Sequence, residues 1–346
     1  MSNGAQNQVL VIGGGVTGMK ASLDLASLGI EVHLVERDQS LGGLLGKVNR
    51  VFPSMRLASD ILEPMIYEIE KSEAIQVHLA SEVSSLEKRD DQFRASISSG
   101  DGKNIELEAG CVIIATGLRP MDPTIIPEFG YGRYPEVVTS LEFETLLRTS
   151  GESGIRGPEG ALVRKFVFIQ CVGSRVERRG LPYCSAVCCM GAIKNALILK
   201  DMDPELDVSI LYIDIRTHGK GWEDAYREAR KAGVMFIRGQ PSMVTKRPGG
   251  KKLFVCGENT LLKELYELDA DLVVLQVGLE MPTDARNLIS MLNVGIRGDG
   301  LPEDEQVDGV FIAGCLESPK DLASCVAQGG ECAAGAAGYV LRKCPG

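Results

Sequence analysis

Gln8-Val-Leu-Val-Ile-Gly-Gly-Gly-Val-Thr-Gly18 is the stretch that decides the fold. An apolar strand runs straight into Gly13-x-Gly15-x-x-Gly18. A helical stretch follows through Met19-Lys-Ala-Ser-Leu-Asp-Leu-Ala-Ser-Leu28 and is stopped by Gly29. A second apolar strand, Val32-His-Leu-Val35, closes on Glu36. Three glycines at this spacing say little by themselves. Placed between strand and helix, with an acidic residue ending the next strand, they predict a dinucleotide-binding βαβ unit. Gly13 permits the tight turn, Gly15 lets backbone approach a pyrophosphate, and Gly18 lets the helix pack close to the strand. Val16 and Thr17 open that helix, whose N-terminal dipole favours phosphate. Glu36 is predicted to bind the ribose hydroxyls, with Arg37 beside it.

Further along, Gly42-Gly43 lies where flavoproteins with two dinucleotide-binding folds place a second glycine pair under the pyrophosphate. Cys111-Val-Ile-Ile-Ala-Thr116-Gly117 looks like the buried strand and turn those proteins use beside the flavin. Val310-Phe-Ile-Ala-Gly314-Cys315 resembles their last strand, with Cys315 in place of the usual aspartate. The helix expected after Pro319, Asp321 through Ala337 with Leu322 in its first turn, would point its N-terminus at the flavin pyrimidine. Four motifs in this order predict FAD, rather than NAD, as the first ligand.

The chain then echoes itself. Val9-Leu-Val-Ile-Gly13 corresponds to Val167-Phe-Ile-Gln-Cys171, Val32–Glu36 to Ile210–Asp214, and Val112–Gly117 to Val273–Gly278. Two Rossmann-like folds in one chain follow. Gly13 and Glu36 are 23 positions apart, whereas Cys171 and Asp214 are 43 apart, and the surplus falls between Ser174 and the helix near Ala192. The first fingerprint glycine has become Cys171 and the third has become Val176, so the second unit is predicted to have lost its phosphate site. The expected domains are an FAD-binding domain of residues 1–150 plus 282–346, with a helical insertion at about 44–80, and a nicotinamide-nucleotide-binding-like domain of 151–281. Pro53 and Pro64 are expected to bound a short helix in the insertion, and crossovers are expected at 148–164 and 278–284.

The surplus carries most of the chemistry. Cys171, Cys184, Cys188 and Cys189 are spaced C-x12-C-x3-C-C. Thiolates so crowded repel one another unless a cation or an iron–sulfur cluster neutralises them. Three readings stand: a [4Fe–4S] cluster, structural zinc (which prefers paired C-x2-C knuckles), or thiols without metal. No C-x-x-C redox pair occurs in the chain. The remaining cysteines read first as packing residues, with Cys315 balanced between packing and function. His33, His78 and His218 are isolated in sequence and read as structural. Lys194, five residues after Cys189, reads from spacing alone as a solvated helix lysine.

Composition narrows the classes. Of the 346 residues, 44% are hydrophobic and 24% charged, as in a soluble globular protein, and the net charge of −10 leaves no basic field to attract nucleic acid. No apolar run reaches the ~18–20 residues of a membrane span. The polar start, Met1-Ser-Asn-Gly-Ala-Gln-Asn7, lacks the regions of a signal peptide. The expectation is a cytoplasmic protein whose ten cysteines serve ligation or catalysis rather than disulfide bonding.

Cys171-Val-Gly-Ser-Arg175, Tyr183-Cys-Ser-Ala-Val-Cys-Cys189, Tyr212-Ile-Asp-Ile-Arg216 and Gly219-Lys-Gly221 resemble the A subunit of heterodisulfide reductase over nearly the whole chain. The resemblance implies a thioredoxin-reductase-like fold with FAD and a [4Fe–4S] cluster held by Cys171, Cys184, Cys188 and Cys189. It also implies Lys194 beside flavin N5, a homodimer, and iron–sulfur proteins of a heterodisulfide-reductase-like complex as partners. The C-x2-C-x2-C-x3-C-P runs of the methanogen proteins are missing, so the chain resembles the short form of sulfur-oxidising systems. The rivals are a self-sufficient NAD(P)H-dependent disulfide or quinone reductase, a subunit of a quinone-interacting oxidoreductase, and a flavin-bound zinc scaffold.

Overall fold

The computed structural model describes residues 7–343 apart from 152–153, 179, 251 and 304–306; Cys344 and the Met1–Gln6 part of the polar start lie outside the described residues. The chain forms two compact units, one of residues 1–46, 58–119 and 280–346, the other of 47–57 and 120–279.

In the first unit a five-stranded parallel sheet runs Val310–Ile312, Cys111–Ile114, Gln8–Ile12, Glu31–Val35, Ile75–His78. The fingerprint strand is central, and Val9, Leu10 and Val11 are fully buried, as a strand covered on both faces must be. The Val16–Ser27 helix covers one face together with the Leu322–Lys343 helix. Their closeness depends on small residues: a Cβ on Gly329 would come within 2.7 Å of the Thr17 carbonyl. Three antiparallel strands, Ser81–Arg89, Gln92–Ser99 and Asn104–Ala109, complete the unit.

The second unit repeats this plan. Its parallel sheet runs Met235–Arg238, Asp207–Tyr212, Lys165–Val172, Leu272–Val277, Val137–Thr139. The strand ending in Cys171-Val172 is again central, flanked by the two strands that the sequence echo pairs with the neighbours of Gln8–Ile12. A three-stranded antiparallel sheet (Met243–Lys246, Leu253–Asn259, Glu264–Ala270) recurs too. The Ser140–Thr149 helix starts at a capping box, in which Thr139 and Glu142 satisfy each other's backbone N–H groups. That helix presents Phe143 edge-on to Phe168, with ring centroids 5.4 Å apart.

Three expectations change. The chain crosses between units at Arg119–Pro120, well before 148–164, because the strand Val137–Thr139 and the helix after it belong to the second sheet. Residues 47–57 also pack in the second unit, where Phe52 meets Trp222 edge-on. The segment 44–80 is not a separate helical insertion: one helix, Ser59–Lys71, carries Pro64 inside it, and Ile75–His78 is a strand of the main sheet. No helix among the described residues is long and apolar enough to cross a membrane.

Phe143 is fully buried at the centre of the second core. Phe143→Ala should lower unfolding stability by about 3–5 kcal/mol. Urea denaturation followed by circular dichroism would show it, and an unchanged midpoint would refute this account of the core.

Candidate functional site

In the first unit the fingerprint turn is built from backbone packed against backbone. Gly13 has φ of +112°, and a Cβ there would lie 2.4 Å from the Ala115 carbonyl oxygen. A Cβ on Gly18 would fall 1.9 Å from the Gly13 carbonyl, which explains the third glycine. Gly15 differs: its φ of −72° suits any residue and nothing lies within 4 Å of its Cβ position, so what it keeps free is space. It is also the N-cap of the Val16–Ser27 helix and offers no side-chain acceptor, leaving that terminus open to an anion. Gly42 bridges to Gly15, its N–H donating to the Gly14 carbonyl at 2.8 Å, and Gly43 closes over the same turn.

Glu36 is buried and already engaged: Oε2 accepts from Gly14 N–H at 2.7 Å and Oε1 from Asp38 N–H at 2.8 Å. It therefore fixes the turn as well as facing the cleft. That cleft, about 260 Å³, is lined by Gly13, Glu36, Arg37, Thr116 and Asn287 among others. Arg37 pairs with Asp284 at its edge, and the buried Thr116 Oγ1 has no partner. Gly117 has φ of +67° with open space at its Cβ position. Leu322 is the first residue of the last helix, and Asp321 caps it by accepting from Ser324 N–H. The residues present fit a dinucleotide: a cradle that a Cβ would occupy, an uncapped helix start and an orphaned hydroxyl meet at the carboxyl end of a parallel sheet.

Gly314 donates its N–H to Gln328 Oε1 at 2.8 Å, and the Cys315 sulfur next to it turns to Cys325, 3.6 Å away. His33 and His78 are not isolated, since neighbouring strands bring Nδ1 and Nε2 to 3.1 Å. Burial lowers both pKa values, and for His78 the charge on His33 adds to it.

In the second unit the corresponding strand ends differently. Cys171 takes φ of +57°, a left-handed position costly to a residue with a Cβ. Residues 174–183 then fold back as a loop, Leu181 N–H donating to the Gly173 carbonyl and Arg175 N–H to the Tyr183 carbonyl. The helix of this unit begins at Cys188 and Cys189. Its positive end lies at these sulfurs, a pull toward thiolate that burial outweighs.

Burial raises the Cys171 pKa to about 11, Cys189 and Cys184 adding to it and Arg175 opposing. Burial also raises Cys188, with Cys171, Cys189 and Cys184 as further causes. Cys189 is raised by burial and by Cys184, against Arg216 and Arg175. Cys171, Cys188 and Cys189 thus each sense the charge of neighbouring sulfurs. Among the described residues no three His, Cys, Asp or Glu stand close enough to hold a single metal ion. Three buried thiols and the half-buried Cys184, with Arg175 beside Cys171, are a donor set that a cationic core would suit.

Sequence reasoning missed several residues here. Gln170 and Gln276 interrupt the apolar runs Phe166–Val172 and Leu272–Val277 near their carboxyl ends, and with Asn195 they are buried with side-chain atoms unpaired. A polar residue in an all-apolar run was the available signal. Lys194 is not solvated: it is 2% exposed, donates to the Arg50 carbonyl at 2.9 Å, and pairs with buried Glu144 at 2.5 Å. Glu144 also accepts from Asn49 N–H at 2.9 Å, so the pair ties residues 47–57 to this unit. Burial lowers the Lys194 pKa, with Glu144 opposing.

Comparison with known proteins agrees with this geometry. Residues 7–148 match the family of pyridine nucleotide-disulphide oxidoreductases. The chain is 33% identical to the second iron–sulfur A subunit of CoB–CoM heterodisulfide reductase in Methanopyrus kandleri, over 96% of the chain and 64% of that protein. It is 33% identical to the corresponding A subunit of Methanocaldococcus jannaschii, over 92% of the chain and 62% of that protein. The chain therefore spans less than two thirds of the length of these relatives. Thioredoxin reductase of Lactococcus lactis shares the fold, with a TM-score of 0.67 at 19% identity over 97% of this chain and 99% of that one. Thioredoxin reductase of T. acidophilum gives 0.64 at 17%, with the same coverage.

Removing one member of a buried ion pair strands the other. Lys194→Met should cost about 3–5 kcal/mol. The double variant Lys194→Met/Glu144→Leu should recover most of this, less about 1–3 kcal/mol for the unpaired Asn49 N–H. Equal losses in single and double variants, by urea denaturation, would show that the pair is not what the helix depends on.

Proposed function

Since the chain belongs to the family of heterodisulfide reductase A subunits and matches it along nearly its whole length, we propose an oxidoreductase subunit that transfers electrons between FAD and a [4Fe–4S] cluster. The complex would be a cytoplasmic heterodisulfide-reductase-like assembly of sulfur metabolism, with iron–sulfur proteins as the other subunits and this chain as a homodimer within it. Chemistry on the sulfur substrate belongs to those other proteins. The observation that carries the reading is the replacement of the second fingerprint turn by Cys171, Cys184, Cys188 and Cys189 while the sheet around it is kept.

FAD supplies two-electron chemistry and a cluster single-electron chemistry, which is what makes their pairing useful. The chain's residues hold and orient the groups. Gly13, Gly15, Gly18, Gly42 and Gly43 keep the pyrophosphate path clear, Val16 and Thr17 begin the helix above it, and Glu36 holds the turn from the ribose side. Arg37, Thr116, Gly117, Gly314, Cys315 and Leu322 complete the lining. In the second unit the four thiolates would be the ligands, and Arg175 and the Cys188 helix terminus would offset their charge. Lys194 is assigned to the flavin side by family likeness alone; its hydrogen bonds within the unit make it a positioning residue for 47–57.

Two measurements test this. Anaerobically purified protein should contain about four iron and four sulfide per FAD. Cys188→Ser/Cys189→Ser should lose the iron and keep the flavin. FAD without iron, bleached by NADH, would return the chain to self-sufficient nicotinamide-dependent reductases, and zinc in place of iron would make it a scaffold. Separately, Gly15→Val should fold normally, since nothing opposes its side chain, yet bind FAD at least roughly tenfold more weakly because it fills the cradle. Full flavin content in that variant would remove the first unit's cleft from the proposal.

A further inference from the structure

The first unit holds a pair of thiols that the proposed electron path does not use. Cys315 lies in the short turn Gly314–Leu316 and Cys325 in the first turn of the Leu322–Lys343 helix. Their sulfurs are 3.6 Å apart, and Cys315 Sγ is 3.5 Å from the Lys320 carbonyl. A disulfide needs about 2.05 Å, so bonding requires the two sulfurs to close from 3.6 Å. Cys325 is 5% exposed, whereas Cys315 is half-buried. The intervening turn is held by side chains: Lys320 bonds Glu317 and Gln328, and Gln328 bonds Glu317 and the Gly314 N–H. The turn therefore keeps the two sulfurs together.

We propose that Cys315 and Cys325 form a redox-active dithiol, a second redox site that reduces low-molecular-weight disulfides by thiol–disulfide exchange. The Cys315 thiolate attacks one sulfur of RSSR′, that S–S bond breaks, and R′S⁻ leaves and takes up a proton. Cys325 then loses its proton to solvent and attacks the Cys315 sulfur, expelling RS⁻, which is protonated in turn. One external disulfide is reduced to two thiols, and two cysteine thiols are oxidised to one disulfide. The order is assigned from residue exposure, Cys315 being half-buried and Cys325 buried. The electrostatics are compatible: the hydrogen bond shared with Cys325, in which either sulfur can donate, and Lys320 lower the Cys315 pKa against burial, and Cys325 is raised. The exchange uses no cluster and takes no step at the flavin, although Cys315 also belongs to the lining assigned to FAD, and a missing 315–325 link would leave flavin and iron content unchanged.

Cys332 supplies the control. It is similarly buried to Cys325 on the same helix, but its sulfur faces the Ile312 carbonyl at 3.9 Å. The flavin-loaded protein would be equilibrated in glutathione buffers from reducing to oxidising, acid-quenched, alkylated and digested with trypsin. Cleavage after Lys320 separates Cys315 from Cys325, so their disulfide joins two peptides. The expected result is a 315–325 link that becomes the major form in oxidising buffer and reverses in reducing buffer. Cys325→Ser should trap glutathione on Cys315, and Cys315→Ser should suppress both products by roughly tenfold or more. If Cys325→Ser does not fold, the wild-type link decides alone. No link in any buffer, or Cys332 modified as readily as Cys315, would overturn the proposal.

Discussion

What happens to one carbonyl group at the end of a central strand governs how each unit can be used. In the first unit the Gly13 carbonyl is approached by the helix at Gly18, where any Cβ would overlap it. That approach brings the helix terminus down on the turn and opens the space at Gly15. In the second unit the Gly173 carbonyl accepts from Leu181 N–H, and a Cβ on Gly180 would lie only 2.3 Å from it. A loop occupies the place of the helix. The same parallel sheet therefore presents a phosphate-sized gap in one unit and a thiol-bearing loop in the other.

The loop has an electrostatic consequence. Burial and mutual repulsion push Cys171, Cys188 and Cys189 toward the protonated thiol, so ionising them together is costly unless positive charge offsets it. A site built this way resists being a free-thiol nucleophile and gains most from a ligand that takes several negative charges at once. Arg175 shows the balance: it is shared between Cys171 and Asp214, so it lessens the repulsion without cancelling it.

Much of the architecture was legible because it rests on local pattern. The strand, Gly-x-Gly-x-x-Gly and closing Glu36 identified the first unit, and the faint repetition of Val9–Gly13 in Val167–Cys171 identified the second. Boundaries were less legible. Residues 47–57 lie between two segments of the first unit yet pack with the second through Phe52 and the Asn49–Glu144 bond, a tertiary preference that adjacent sequence does not encode. Lys194 was misread for the same reason. One lysine in a helix looks solvated until its partner, fifty residues away, is known. The His33–His78 contact likewise needs the pairing of two strands to be seen.

Cys315 shows how a local departure redirects a site. An acidic side chain at this position would compete with Glu317 for Lys320 and add negative charge beside the last helix. A thiol does neither. It leaves the Lys320–Glu317–Gln328 network intact, so that Gln328 accepts the Gly314 N–H and fixes the turn at φ of +69°. With the backbone held by Gln328, the Cys315 side chain faces Cys325.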